Sequence, residues 1–396
     1  MDVVTTEEPS RPAPAPATVP ADSDPPRPDR LRWLRVAVRD ALPALAVYLL
    51  IRAVGVLAVY VWARASGVSP VQRLTRSDAT YYLSIAQHGY DGYARVQSDM
   101  AFFPLYPGLV GLVERLSPLT ARGAGLVVAG LAGLAAAWAL YAIGSYLYDR
   151  RTGVVLAALW AALPHAVVES MAYSETLFTA LAAWTLYALL RRHWLTAGVL
   201  CLFAGLTRPT ASSLIPVVGL AALIAVVRRR DGWRPWVAML LAPAGWLGYL
   251  AWVGVQTGRP DGWFHIQSAG WRSHFDFGVY TFQRAREVLA EPAAPQMLVV
   301  SVVLVLSLMF LVLGVLDRQP WQLLLFSGLM LVTTLGAAGY YRSKARFLLP
   351  AFALLLPAAV GLARAGRARA VTVLVALTAF STYFGGYLLL IWTRSP

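Results

Sequence analysis

The chain is short of charge. Of 396 residues only 14% are Asp, Glu, Lys or Arg, while 58% are hydrophobic; a soluble domain carries about a quarter charged residues. That balance excludes an ordinary water-soluble enzyme. Cysteine is almost missing too. Cys201 stands alone in an apolar run, so no internal disulfide can form and a packing role is expected. Lysine is confined to Lys344, and arginine carries the net charge of +14. The arginines are scattered at the ends of apolar runs. This argues against nucleic acid as a partner and for membrane topology and anionic lipid. The histidines, His88, His165, His265 and His274 among them, lack the spacing of a metal motif such as His-Glu-x-x-His, so no metal site is expected. No internal repeat is evident, whereas many transporters carry one.

What the chain has is long apolar stretches from residue 41 onward. About 20 such residues cross a bilayer as a helix. Spans are expected near 41–64, 123–147, 153–171, 174–190, 194–206, 211–227, 234–255, 297–315, 321–338, 347–362 and 370–391. The implied fold class is an all-α polytopic membrane protein of about eleven helices, 194–206 being too short to cross fully. Residues 1–40 differ: a Pro-rich polar stretch, expected to be a disordered cytoplasmic tail, then the basic lead-in "LRWLRVAVRD". The Arg-rich short loops at 149–151, 191–193, 228–234 and 363–369 mark the cytoplasmic side. Alternation then puts the amino terminus inside, the carboxyl terminus outside, and the long loops 65–122 and 256–296 on the outer face of a plasma membrane.

The first of those loops holds "RSDATYYLSIAQHGYDG" (76–92). Ser77 or Asp78 can cap a helix there, and an ionisable group at a membrane boundary is costly and usually functional. Asp91 and Asp99 are its rivals. "FFPLYPGLVGLVERL" then places Leu105, Leu109, Leu112, Val113 and Leu116 on one helical face. That pattern reads as a helix lying in the interface, with Phe102, Phe103 and Tyr106 at headgroup level. Arg52 lies inside the first span and requires a partner.

The pattern Asp78, Tyr81, Tyr82, Ile85, Ala86, His88, Gly89, Tyr90, followed by Phe102, Phe103, Pro104, Leu105 and Pro107, resembles the first lumenal loop of the PIG-V-like mannosyltransferases. These are integral-membrane glycosyltransferases of the GT-C fold. Ser77 stands where that family usually shows Trp. "AYSETLF" (172–178) resembles its Tyr-Ser-Glu-Ser-Leu-Phe. "AGLTRPTA" (204–211) resembles its Arg-Ser-Asn-Gly turn, keeping Arg208 and placing Ala211 for the glycine. "WFHIQSAGW" (263–271) is similar to its Gln-aromatic loop, and "RSKARFLLPAFALLLP" (342–357) to its entry into a late helix.

The resemblance implies transfer of a sugar, mannose first, from a polyprenyl-phosphate donor to a cell-envelope or lipid-linked glycan, with no cofactor. The chemistry agrees with it. Outside the cytoplasm no nucleotide sugar is available, so the donor must be lipid-linked. The acceptor hydroxyl needs a base, for which Asp78 is the candidate. The departing phosphate needs cations, and Arg208, Arg342, Lys344 and Arg346 are the candidates. Tyr81, Tyr82, His88, Glu175, Gln267 and Trp271 are candidate substrate contacts, although an aromatic at the interface serves equally as an anchor and Glu175 sits well at a positive helix end. Two alternatives stand: the same fold with another lipid-linked sugar, such as glucose or an arabinofuranose, and a membrane transporter or lipid flippase.

Overall fold

The computed structural model describes residues 30–92 and 97–396, with side chains from Arg35 onward. The chain divides into two units, Met1–Asp40 and Ala41–Pro396. Of the first, only the helical start at 30–40 is described; the expected Pro-rich tail at 1–29 lies outside the described residues. The second unit holds the helical bundle.

Helix α1 (Arg30–Ala65) is followed by the short α2 (Pro70–Leu74) and by α3 (Asp78–His88) and α4 (Leu105–Leu116). Next come α5 (Ala121–Leu147), α6 (Arg150–Ala161), α7 (Glu175–Leu190), α8 (Trp194–Gly205), α9 (Ile215–Val227) and α10 (Arg234–Thr257). The second loop holds α11 (Gly262–His265) and α12 (Val279–Ala290). The remainder is α13 (Pro295–Leu316), α14 (Trp321–Gly336), α15 (Lys344–Phe347), α16 (Leu356–Arg364) and α17 (Arg367–Gly386). Among the described residues the only β pairing is an isolated bridge between Phe275 and Ala337. The protein is an all-α polytopic membrane protein.

Each apolar segment read from the sequence meets a helix, but fewer of them can cross. Among the described residues six helices are long and apolar enough, or up to seven if the bent pair Tyr341–Phe347 and Phe352–Arg364 is one span. Helices α7, α8 and α14 are apolar but shorter. Hydropathy registers apolar residues and not the breaks between them. The stretch 153–171 breaks after Ala161, and 347–362 bends by 75° around Pro350. Such breaks free backbone groups, which inside a bilayer must be satisfied by protein. Here Trp160 Nε1 donates to the Leu349 carbonyl at 3.0 Å. Arg52 donates to the Ala161 carbonyl at 2.8 Å and to Ser170 Oγ at 3.2 Å. The intramembrane arginine thus finds its partners at the break between α6 and α7.

Small residues set the helix packing, as they do where no hydrophobic drive separates helix from lipid. A methyl group on Gly144 of α5 would fall 2.7 Å from the Gly153 Cα of α6. One on Gly205 of α8 would fall 2.7 Å from the Trp246 backbone N of α10, and one on Gly245 would land on the Leu202 carbonyl oxygen. Helix α4 corrects the interface reading in part. Leu112 and Leu116 are exposed as a lipid-facing stripe requires, but Phe103 and Tyr106 are buried core residues, not headgroup anchors. Tyr106 donates to the Gly125 carbonyl of α5 at 2.9 Å, fixing α4 against the bundle.

The Arg-rich loops pair with one another. Arg151 donates to the Ala365 carbonyl at 2.8 Å, and Trp194 donates to Asp231 at 2.9 Å, with Arg192 4.0 Å from the same carboxylate. The short basic connections thus associate with one another, while the polar residues of the loops after α1 and α10 assemble separately.

Candidate active site

Asp78 is the first residue of α3. Ser77 before it has φ 58° and ψ −122°, and its side chain makes no capping bond. That conformation belongs to glycine at the first central position of a tight turn, so a serine there is strained. The Asp78 carboxylate turns to another helix: Oδ2 lies 2.9 Å from Arg346 Nη2. Its side chain stays 28% exposed, while that of Arg346 is only 4% exposed.

Arg346 has a different partner at each nitrogen. Nε lies 3.4 Å from Glu175 Oε1, and Nη1 donates to Ser395 Oγ at 3.1 Å. The guanidinium stacks over the Tyr173 ring, 5.1 Å from its centroid. Glu175 begins α7, where the helix dipole favours a carboxylate, and its Oε2 lies 2.8 Å from Arg208 Nη1. That nitrogen also donates to Ser174 Oγ at 3.0 Å, and Ser174 shares a 2.6 Å hydrogen bond with the Tyr82 hydroxyl. Burial pushes the Tyr82 hydroxyl up to about 12, so it remains protonated. Two carboxylates therefore balance two guanidinium groups. The Glu175 contacts are close in charge without the alignment of hydrogen bonds.

This network closes one end of a cavity of about 680 Å³. Asp78, Tyr82, Arg208 and Arg346 line it at that end. Trp246 and Phe264 supply apolar wall, and Gln267, Ser268, His265 and Asp261 add polar groups from the second loop. The turn carrying Arg208 is tied to the Phe102–Phe103 loop, Leu105 N donating to the Leu206 carbonyl at 2.9 Å.

The sequence candidates separate accordingly. Asp78, Arg208, Arg346, Lys344, Tyr82, Gln267 and Trp271 line the cavity. Lys344 is committed elsewhere: Nζ donates to the carbonyls of Thr334 and Ala337 at 2.6 and 2.7 Å, ending α14 as a buried cap. Arg342 lies outside the lining and stacks over Tyr340, 5.7 Å from the ring centroid. Glu175 sits behind the wall as counter-ion to both arginines. Tyr81 stacks on Phe102 at 4.8 Å and meets Trp271 edge-on at 5.2 Å. With Trp271 Nε1 donating to the Ser98 carbonyl at 3.2 Å, this cluster joins the two long loops. His88 ends α3 exposed, beside Arg115 in a separate groove. Of the carboxylate rivals, Asp99 is buried and accepts from the Asp91 N–H at 2.9 Å, and neither lines the cavity. Among the described residues no three His, Cys, Asp or Glu cluster as metal ligands. Tyr173, Ser174 and Ser395 are site residues that motif spacing does not single out. Tyr173 and Ser174 lie inside "AYSETLF"; nothing local marks Ser395.

No known family profile and no curated protein matches this sequence. Among solved structures it resembles ArnT from Cupriavidus metallidurans, whose crystal structure holds undecaprenyl phosphate. The TM-score is 0.54 at 12% sequence identity, covering 88% of this chain and 63% of that one. The likeness establishes a GT-C-type membrane fold. This chain spans less than two thirds of the length of ArnT.

Proposed function

We propose that this chain is a glycosyltransferase that moves a sugar from a polyprenyl-phosphate donor to a glycan or glycolipid acceptor, with Asp78 as general base. The observation that carries the reading is the Asp78–Arg346 pair, 2.9 Å apart at the end of a cavity of about 680 Å³. Such a pair meets both needs of the reaction at one point. The acceptor hydroxyl attacks the anomeric carbon as the carbon–oxygen bond to phosphate breaks. Its proton passes to the Asp78 carboxylate, and the electron pair leaves on the phosphate, whose growing charge faces Arg346 and Arg208. A β-linked donor would give an α-linked product by one displacement. The fold shared with an undecaprenyl-phosphate-binding protein supports a polyprenyl carrier, and the PIG-V-like motifs favour mannose over glucose or arabinofuranose. Trp246 and Phe264 offer the apolar surface that a prenyl chain would cover.

The test is transfer by purified protein from polyprenyl-phosphate mannose, with the glucose and arabinofuranose analogues as competitors. Asp78→Asn keeps the size of the carboxylate and removes the base, so the rate should fall about 10²–10⁴-fold. It also takes one counter-ion from Arg346, so the thermal midpoint should fall too, by less than in Arg346→Gln because Asp78 is partly exposed and Glu175 remains. Near-normal transfer by the Asn variant would sink the assignment. A second reading, a lipid-phosphate flippase, is favoured by the bent pair at Tyr341–Phe347 and Phe352–Arg364, since broken helices line transport sites. Flipping of labelled polyprenyl phosphate in vesicles, without sugar transfer, would establish that reading instead.

A further inference from the structure

The last residues of the sequence form part of the wall at the Arg346 end of the cavity. Ser395 lines it and accepts from Arg346 Nη1 at 3.1 Å. The same guanidinium lies over the Tyr173 ring, whose hydroxyl donates to the Arg76 carbonyl at 3.3 Å. The Arg76 side chain turns the other way. Its Nη2 meets three carbonyl oxygens, those of Leu388 and Trp392 at 2.7 Å and Arg394 at 3.0 Å. Trp392 folds the segment on itself, its Nε1 donating to the Ser395 carbonyl at 3.4 Å. Two residues along from Arg76, Asp78 holds the other side of the same Arg346 guanidinium.

We propose that Arg76 is a positioning residue: by gathering the carbonyls of 388, 392 and 394 it seats Ser395 on Arg346 and so orients the guanidinium that faces the donor phosphate. This rests on the polyprenyl-phosphate reading above. The physical case is one of donors. Asp78 and Glu175 hold Arg346 at Nη2 and Nε, and among the described residues only Ser395 holds Nη1. Without Ser395 the fork can turn about its long side chain, and a planar, two-pronged grip on phosphate depends on that orientation.

The geometry distinguishes the two arginines. At Arg76 all three acceptors converge on one nitrogen, an arrangement that an ammonium with its three donors also satisfies. At Arg346 each nitrogen serves a different partner, which an ammonium cannot reproduce. Arg76→Lys should therefore rescue what Arg76→Gln loses, while Arg346→Lys should not rescue Arg346→Gln.

The experiment uses the full chain carrying Cys201→Ala and Ser395→Cys, labelled with a thiol reagent, alongside donor kinetics in the Ser395 background. Arg76→Gln should speed labelling at position 395 severalfold and cost kcat/KM for polyprenyl-phosphate mannose about tenfold, KM rising and kcat falling because Arg346 meets the phosphate both bound and departing. Arg76→Lys should sit near the parent in both. Unchanged labelling in Arg76→Gln overturns the proposal, and so does faster labelling with an unchanged kcat/KM. Labelling reads the segment whether or not sugar is transferred. A parent protein inactive with every lipid-linked sugar therefore counts against the reaction alone; polyprenyl phosphate binding then replaces kcat/KM, and equal binding by parent and Arg76→Gln overturns the positioning role.

Discussion

At the scale of single residues, the site is built from groups that are individually costly. Glu175 is 2% exposed and Arg346 4%. A buried ion pair holds because each member compensates the other, and removing one member costs about 3–5 kcal/mol. Arg346→Gln should therefore lower the thermal midpoint in detergent as well as abolish transfer. Adding Asp78→Asn, which leaves the Glu175–Arg208 pair intact, should restore part of the stability and none of the activity; a double variant no more stable than the single one would mean that Asp78 and Arg346 are not coupled. From sequence, Arg208 and Arg346 read as cations awaiting a phosphate, removable without harm to the fold. The structure makes them members of a neutral network, so donor binding must share or exchange their partners. Ser77 carries the other cost. With φ 58° and ψ −122°, it holds a conformation that glycine adopts freely. Ser77→Gly should stabilise the protein by about 1 kcal/mol, measured as a rise in thermal midpoint; a fall would show that the serine is not strained.

Among the elements, the decisive contacts are between helix backbones. Helices α8 and α10 approach through Gly198, Gly205 and Gly245, and their junction presents Arg208 and Trp246 to the cavity. Gly245→Leu would drive a side chain into the Leu202 carbonyl and should abolish the folded state, seen as aggregation on detergent extraction. Gly219, on α9, has open space within 4 Å of where a methyl group would stand. Gly219→Ala should instead be neutral or stabilising by about 0.5–1 kcal/mol. Equal outcomes for the two variants would contradict the packing described. The break between α6 and α7 acts at the same scale. Arg52 satisfies its freed groups, and the chain emerging from it delivers Tyr173, Ser174 and Glu175 in succession to the site.

Across the whole molecule, the site and the Arg-rich loops form separate groupings. The orientation proposed from the positive-inside rule puts the site outside. In a Cys201→Ala background, Gln87→Cys should react with an impermeant reagent on intact cells, and Arg230→Cys only after lysis. The reverse pattern would place the site in the cytoplasm, where nucleotide sugars are available, and remove the argument for a lipid-linked donor.

Composition and apolar run length by themselves determined the membrane class and where the helices lie, because burial in lipid imposes one requirement on every residue of a span. Motif spacing singled out Asp78, Arg208 and Arg346, because residues at the first turns beyond apolar runs have few inexpensive reasons to be charged. The partners were decided only by tertiary structure. Lys344 and Arg346 are two residues apart in one basic run, yet one caps α14 through two carbonyls and the other joins Asp78, Glu175 and Ser395. His88 and Tyr82 share α3, yet only Tyr82 faces the cavity. The bend at Pro350 and the strained turn at Ser77 aim Arg346 and Asp78 at each other across more than 260 residues of chain. An ion pair formed over that separation leaves no local pattern, because its stabilisation depends on burial and distance, which only the packed helices supply.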